Sequence, residues 1–273
     1  MWPFQGRGEC HKRRGTTGQI GHKSLKLVIF DCDGTLVDSQ HMICAAMRQA
    51  YEANNLSVPE RKHLLAIVGL SLPDAFRRLA LHAADGAEHP IESLVTCYRT
   101  AFAALRHADD HLEPLYVGAR EAIDALARRP DTSLGIATGK SQRGVRAVLG
   151  RHGLAGRFAT IQTSDDAPSK PHPGMVLAAM RETGAAPPDT VVVGDTVFDL
   201  EMARAAGASA IGVGWGYHPV SALRAAGADA MIAAFAELLP TLDRLWADGA
   251  VVGTLEAAAE PAGGVGGVRR RHG

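Results

Sequence analysis

Two carboxylates one residue apart, Asp31 and Asp33, followed at once by Gly34 and Thr35, close the short apolar run Leu25-Lys26-Leu27-Val28-Ile29-Phe30. Anions held this close repel, so a positive charge is expected between or beside them. Oxygen ligands of this kind suit a hard cation such as Mg²⁺, which takes one or two carboxylates and fills its remaining positions with water and substrate phosphate. Taken alone, Asp-x-Asp-Gly is equally a turn that ends a strand. The residues downstream decide between the two.

Three further groups have types suited to the same chemistry: Thr138-Gly139-Lys140, Lys170-Pro171-His172-Pro173 and Gly194-Asp195-x-x-x-Asp199. Lys170 is one of few lysines in the chain, and flanking prolines restrict its loop. As a compact point charge it could hold a nearby carboxylate ionised and stabilise charge growing on transferring oxygens. The spacing from Asp195 to Asp199 is that of i, i+4 on a helix, which puts both carboxylates on one side of an opening turn. Each group also has a plain structural role: Thr-Gly as a turn, lysine as solvated surface, and Asp195 as a helix N-cap. Lys140 stands as either a second cation or decoration at a helix start.

These groups need elements that bring them together. Each lies at the carboxyl end of a short apolar run, or in the loop after one, as strands buried on both faces of a parallel sheet require. The predicted strands are Leu25 to Phe30, Ser133 to Thr138, Phe158 to Thr163, Thr190 to Gly194 and Ser209 to Val213. Predicted helices over Gly118 to Arg129, Gln142 to His152, Pro173 to Thr183 and Val197 to Ala206 supply the crossovers. The fold class is therefore α/β, a Rossmann-like parallel sheet with helices on both faces. Residues 39–112 break the rhythm and read as helices only: His41 to Ala53, Glu60 to Ile67, Pro73 to Ala84 and Ile91 to His107. An insertion after the first strand sits above the carboxyl ends of the strands, where open α/β sheets bind ligands, and is expected to act as a cap. The organisation is thus a basic tail over 1–24, a core over 25–38 and 113–250, a helical cap over 39–112 and a Gly-, Ala- and Arg-rich tail over 251–273.

Four motifs in this order, with a helical insertion behind the first, resemble the haloacid dehalogenase-like hydrolase superfamily. The small helical cap is similar to that of its phosphoglycolate phosphatase and β-phosphoglucomutase branch, and the resemblance covers Leu25 to Trp246. It implies that Asp31 is a nucleophile forming an aspartyl-phosphate and that Asp33 is a general acid and then base. It further implies that Thr138 and the Gly139 amide bind phosphoryl oxygens and that Lys170 is catalytic. Asp31, Asp33 (through its main-chain carbonyl), Asp195 and Asp199 would hold Mg²⁺. The implied activity is hydrolysis of a small phosphorylated metabolite, phosphoglycolate-like or a sugar phosphate. A sugar phosphomutase, or a non-catalytic binding protein on the same fold, is the alternative. The turn Val68-Gly69-Leu70-Ser71-Leu72-Pro73 occupies the place of a specificity loop, and Arg77 or Arg78 behind it could meet an anionic substrate group. His41 is open to the same reading. Lys62, the single lysine of the insertion, is not in a setting that matches the Schiff-base relatives.

Bulk properties narrow the partners. Across 273 residues, 29 basic and 29 acidic side chains cancel, and the part between the basic ends is mildly acidic, which points away from nucleic acid and membrane surfaces. Cys10, Cys32, Cys44 and Cys97 form neither a CxxC pair nor a zinc-like spacing and read as reduced thiols. Cys32 in particular reads as a small residue filling a core slot. No apolar stretch of signal-peptide or membrane-spanning length is present, so a cytoplasmic enzyme, monomer or homodimer, is expected.

Overall fold

The computed structural model describes residues 24–83, 88–108 and 113–247. Both expected tails lie essentially outside them. Six parallel strands form the sheet: β1 (Lys26–Phe30), β2 (Thr132–Thr138), β3 (Thr160–Thr163), β4 (Thr190–Gly194), β5 (Ser209–Val213) and β6 (Ala230–Ile232). Their order is β3-β2-β1-β4-β5-β6, so the direction of winding reverses beside β1. The crevice outside such a reversal is the ligand position of open α/β sheets. Val28 of β1 lies opposite Leu134 of β2 and Val191 of β4, and this register brings the carboxyl ends of the three central strands level.

Side-chain alternation along β1 explains why both faces are covered. Val28 and Phe30 point into one apolar layer with Ile123 and Leu126 of α5 (Ala119–Ala127) and Val145 and Leu149 of α6 (Gln142–Arg151). Leu27 and Ile29 point into the opposite layer with Met175 and Ala179 of α7 (Gly174–Thr183) and Leu200 and Ala203 of α8 (Val197–Ala205). Leu223 of α9 (Val220–Ala225) joins this second layer.

The helices of the insertion are α1 (Gln40–Ala53), α2 (Arg61–Leu65), α3 (Leu72–Leu81) and α4 (Ile91–Ala108). They bury an apolar cluster of their own around Tyr51, Phe76, Tyr98 and Phe102, with ring centroids 6.1 Å apart for Tyr51–Phe76 and 6.2 Å for Phe76–Tyr98. Phe198, at the start of α8, is the core residue buried in that cluster. Several elements differ from expectation. Strand β6, α9 and the helical residues 238–247 were not anticipated, because Ala-rich stretches carry little hydrophobic periodicity and β6 spans only three residues. The helix expected over Glu60 to Ile67 is a single short turn, Arg61–Leu65, and the strand expected from Phe158 begins at Thr160.

Candidate active site

The central strands each end in an expected site residue: β2 in Thr138, β1 in Phe30 just before Asp31, and β4 in Gly194 just before Asp195. Lys170 comes from the loop before α7 and Asp199 from the first turn of α8. Asp31, Thr138, Lys170, Asp195 and Asp199 are essentially withdrawn from solvent, Asp33 is 8% exposed and Gly139 is half-buried. Lys170 Nζ lies 2.9 Å from Asp31 Oδ1 and also donates to Asp199 Oδ1, so one buried cation serves two carboxylates. Burial pushes Lys170 towards deprotonation, but Asp199 and Asp31 outweigh it and hold its proton above the ordinary range.

Asp195 and Asp199 are not equivalent. The N-cap of α8 is Thr196 rather than Asp195, and Asp199 is its capping-box partner: Asp199 Oδ2 accepts from the Thr196 amide at 3.0 Å and from its hydroxyl at 2.7 Å. Asp195 is held instead by Thr35 Oγ1, which donates to Oδ1 at 2.8 Å, and by the Tyr217 amide, which donates to Oδ2 at 2.9 Å. The glycine of the first motif is required here. Gly34 has φ +88°, and a Cβ on it would stand 2.3 Å from Asp195 Oδ2.

Asp31, Asp195 and Asp199 each place a carboxylate oxygen within 4.8 Å of the others, in a fully buried cluster. Burial first, with Lys170 opposing it and Asp199 and Asp33 adding to it, raises the Asp31 carboxyl to about 6. Burial, then Asp31 and Asp199, raise Asp195 well above the carboxylate range. Asp31 Oδ2 has no hydrogen-bond partner among the described residues. An orphaned buried carboxylate oxygen beside two more carboxylates is a surplus of negative charge that one lysine does not neutralise, and oxygen-only donors fit a hard divalent cation. Asp199 is the weakest of the three as a direct ligand, since Lys170 and Thr196 already hold its oxygens.

The surroundings of Asp33 were the part least anticipated. Its carboxylate accepts from Ser39 Oγ, and Lys140 Nζ lies 2.7 and 2.9 Å from its two oxygens. Lys140 is therefore a buried partner of Asp33 and not an exposed decoration. Its ammonium is also 3.2 Å from Glu113 Oε1, while Arg106 of α4 grips the same Glu113 through Nε and Nη2 at 2.9 and 3.1 Å. Burial pushes the Glu113 carboxyl up, yet Lys140 and Arg106 prevail and hold it below its ordinary range. Ser39 is backed by Tyr217, whose hydroxyl lies 3.3 Å from the Ser39 amide and from Oγ. Glu113, Ser39 and Tyr217 carry no motif; in sequence Glu113 is only the first residue of a Pro- and Gly-punctuated linker.

Asp31 and Asp33 open onto a cavity of about 350 Å³ between insertion and core, which Thr138, Gly139 and Lys140 also line. The turn from Val68 to Pro73 forms part of its wall, as expected. It packs tightly: a Cβ on Gly139 would lie 2.4 Å from the Leu70 carbonyl oxygen. The Ser71 amide donates to Ser169 Oγ at 2.8 Å, and His218 Nε2 meets the Ala66 carbonyl at 3.1 Å. Arg77 and Arg78 do not line the cavity. Arg77 pairs with Asp74 at the surface, and Arg78 stacks over the Phe198 ring at 5.2 Å. His41 is exposed and Lys62 pairs with Glu60, both away from the cavity.

Residues 28–213 match the family described as haloacid dehalogenase-like hydrolase. The chain is 36% identical to the probable phosphatase IndB of Dickeya dadantii (strain 3937), over 78% of this chain and 91% of that one. It is 33% identical to a phosphoglycolate phosphatase of Chromobacterium violaceum, over 79% and 96%, and 30% identical to the pyrophosphatase PpaX of Bacillus pumilus, over 81% and 97%. The crystal structure of a hydrolase from Pseudomonas syringae superimposes with a TM-score of 0.71 at 27% identity, covering 80% of this chain and 98% of that one.

Proposed function

The chain belongs to the haloacid dehalogenase-like hydrolase family and is a phosphatase, and from this premise we propose that it hydrolyses a small phosphorylated metabolite, phosphoglycolate-like or a sugar phosphate, through an aspartyl-phosphate on Asp31. The observation that carries the proposal is the buried cluster in which Asp31, Lys170, Asp195 and Asp199 meet at the sheet's point of reversal, with Asp31 Oδ2 unengaged. Asp31 attacks phosphorus, and the bond from phosphorus to the leaving oxygen breaks as Asp33 hands that oxygen a proton. Water then attacks the aspartyl-phosphate, Asp33 takes its proton, and inorganic phosphate leaves with Asp31 regenerated. Lys170 keeps Asp31 anionic and faces the charge that builds on the transferring oxygens. Thr138 and the Gly139 amide bind those oxygens from the neighbouring strand end.

Asp31 and Asp195, with Asp199 and the Asp33 main-chain carbonyl behind them, would hold Mg²⁺, which when bound neutralises phosphoryl charge as a Lewis acid. The insertion, over residues 39–112, acts as a cap that excludes water. A cytoplasmic setting belongs to the same reading: Cys32, Cys44 and Cys97 are free, and no described helix is long and apolar enough to cross a membrane. Phosphate release from p-nitrophenyl phosphate and from a panel of phosphorylated metabolites, with Mg²⁺ and after exhaustive chelation, tests the proposal. Release that depends on Mg²⁺ supports it; full activity after chelation, or none on any ester, overturns it.

A further inference from the structure

The cavity in front of Asp31 has a charge asymmetry that phosphoryl transfer does not use. Four cationic side chains line it: Arg99 and Arg106 from α4, and Lys140 and Arg143 from the core. Two of them are committed, Arg106 to Glu113 and Lys140 to Asp33 and Glu113. Arg99 and Arg143 have no hydrogen bond or ion pair among the described residues. Their placement follows from the elements that carry them. Arg99, Phe102, Ala103 and Arg106 recur at helical spacing along the one side of α4 that lines the cleft, and Arg143 stands in the first turn of α6, just beyond Thr138-Gly139-Lys140. Apart from these cations and from Asp31 and Asp33, the wall carries no charged side chain; its remaining polar side chains are hydroxyls, among them those of Ser71, Ser141 and Ser164. The turn from Val68 to Pro73 contains no charged residue, and Ile43, Met47 and Tyr98 continue its surface.

A free guanidinium matches the planar, two-oxygen geometry of carboxylate and phosphate. The two stand on different elements around one cavity, Arg99 on the insertion and Arg143 on the core, so a leaving group held in that cavity lies between them. Resting on the phosphatase reading of Asp31, we propose that Arg99 and Arg143 form a second anion subsite for the leaving group. The preferred substrates are then phosphate esters that carry a second anionic group, a carboxylate or a further phosphate, and neutral sugar monophosphates are selected against. Specificity by charge resides in α4 and α6, and the apolar turn supplies shape.

The test uses the Mg²⁺-loaded protein and non-hydrolysable probes, so that its outcome is separate from turnover. Isothermal titration compares propylphosphonate, which has one anionic group, with 3-phosphonopropionate and propane-1,3-bisphosphonate, which have two. Loss of charge-assisted hydrogen bonds typically amounts to about ten- to a hundredfold, so the two-anion probes should bind tighter by that factor. In the Arg99→Gln/Arg143→Gln double variant the ratio should fall towards one, and in the Arg99→Lys/Arg143→Lys variant it should stay between. The carboxylate and bisphosphonate arms tell which second anion is preferred. A ratio near one in the unsubstituted protein, no measurable binding of any two-anion probe, or an unchanged ratio in a glutamine variant with a normal melting curve each overturns the subsite. If the ratio behaves as expected while no ester is hydrolysed, the phosphatase reading fails and the subsite stands.

Discussion

Asp31 carries opposing demands: it must be ionised to attack, yet it is buried beside two further carboxylates with one lysine between them. Asp31→Asn keeps the shape and removes the nucleophile, so turnover should fall on the order of 10⁴-fold or more while circular dichroism is unchanged. Wild-type rates in a folded variant would remove the covalent step. The raised proton affinity of Asp31, to about 6, has a consequence for stability. The folded state binds this proton more tightly than the unfolded chain, whose carboxyl sits near the ordinary value of 3.8. The metal-free protein should therefore lose stability from this group as pH rises from about 4 to about 6, with no further loss above. Asp195 acts in the same direction. A bound divalent cation needs both groups ionised and relieves their repulsion, so the rise in melting temperature on adding Mg²⁺ should be large near about pH 7.5 and shrink near about pH 5. Melting curves with and without Mg²⁺ at both pH values decide it; an equal or larger rise in acid would count against a metal on this cluster.

At the level of elements, the insertion touches the core through Phe198, buried in its apolar cluster, through a few close backbone approaches and through one buried ion cluster. Gly139 is where the turn from Gly69 to Pro73 comes nearest. A methyl group there would meet the carbonyl oxygens of Leu70 and Gly69 at 2.4 and 2.6 Å, and neither is the end of a flexible side chain. Gly139→Ala should thus lift the turn off β2 while leaving the sheet folded. A displacement of about 1 Å near reacting groups costs roughly a hundredfold, so kcat/KM should drop by up to that factor with little change in melting temperature. Retained kcat/KM would mean that this contact does not position the site. Glu113 is the second joint, binding Arg106 of the insertion and Lys140 of the core. Glu113→Ala removes the carboxylate shared by buried cations and should destabilise by about 3–5 kcal/mol in urea titrations. A change within experimental error would show that water replaces it.

For the molecule as a whole, the parallel sheet makes residues from Asp31 to Asp199 neighbours. The order β3-β2-β1-β4-β5-β6 sets three strand ends side by side, and α1 to α4, leaving after β1, return over them. The expected tails, 1–24 and 251–273, contain no core-forming pattern. Removing both should shift the melting temperature by no more than a few degrees and leave turnover nearly unchanged. A large loss of either would show that a tail docks onto the domain, and differential scanning calorimetry beside a phosphate-release assay reads both.

Local pattern by itself determined the five longer strands, the crossover helices, the helical insertion and the residues of the buried cluster, because each depends on residue type and short-range spacing. Apolar runs that stop at Asp31, Thr138 and Asp195 are legible wherever they fold. What surrounds them depended on distance in space. Lys140 stays open between second cation and decoration until the end of β2 sets it against Asp33, and Glu113 reads as linker until Arg106 closes on it. The N-cap alternative for Asp195 is set aside because Thr196 takes that place. The choice among arginines was decided in the same way. Arg77 and Arg78 follow the specificity turn in sequence, but the rotation of α3 sends them to the surface and to Phe198, while α4 of the insertion and α6 of the core bring Arg99 and Arg143 to the cleft. Periodicity assigns a residue to a face of its own helix; only the packing of one element on another decides what that face meets.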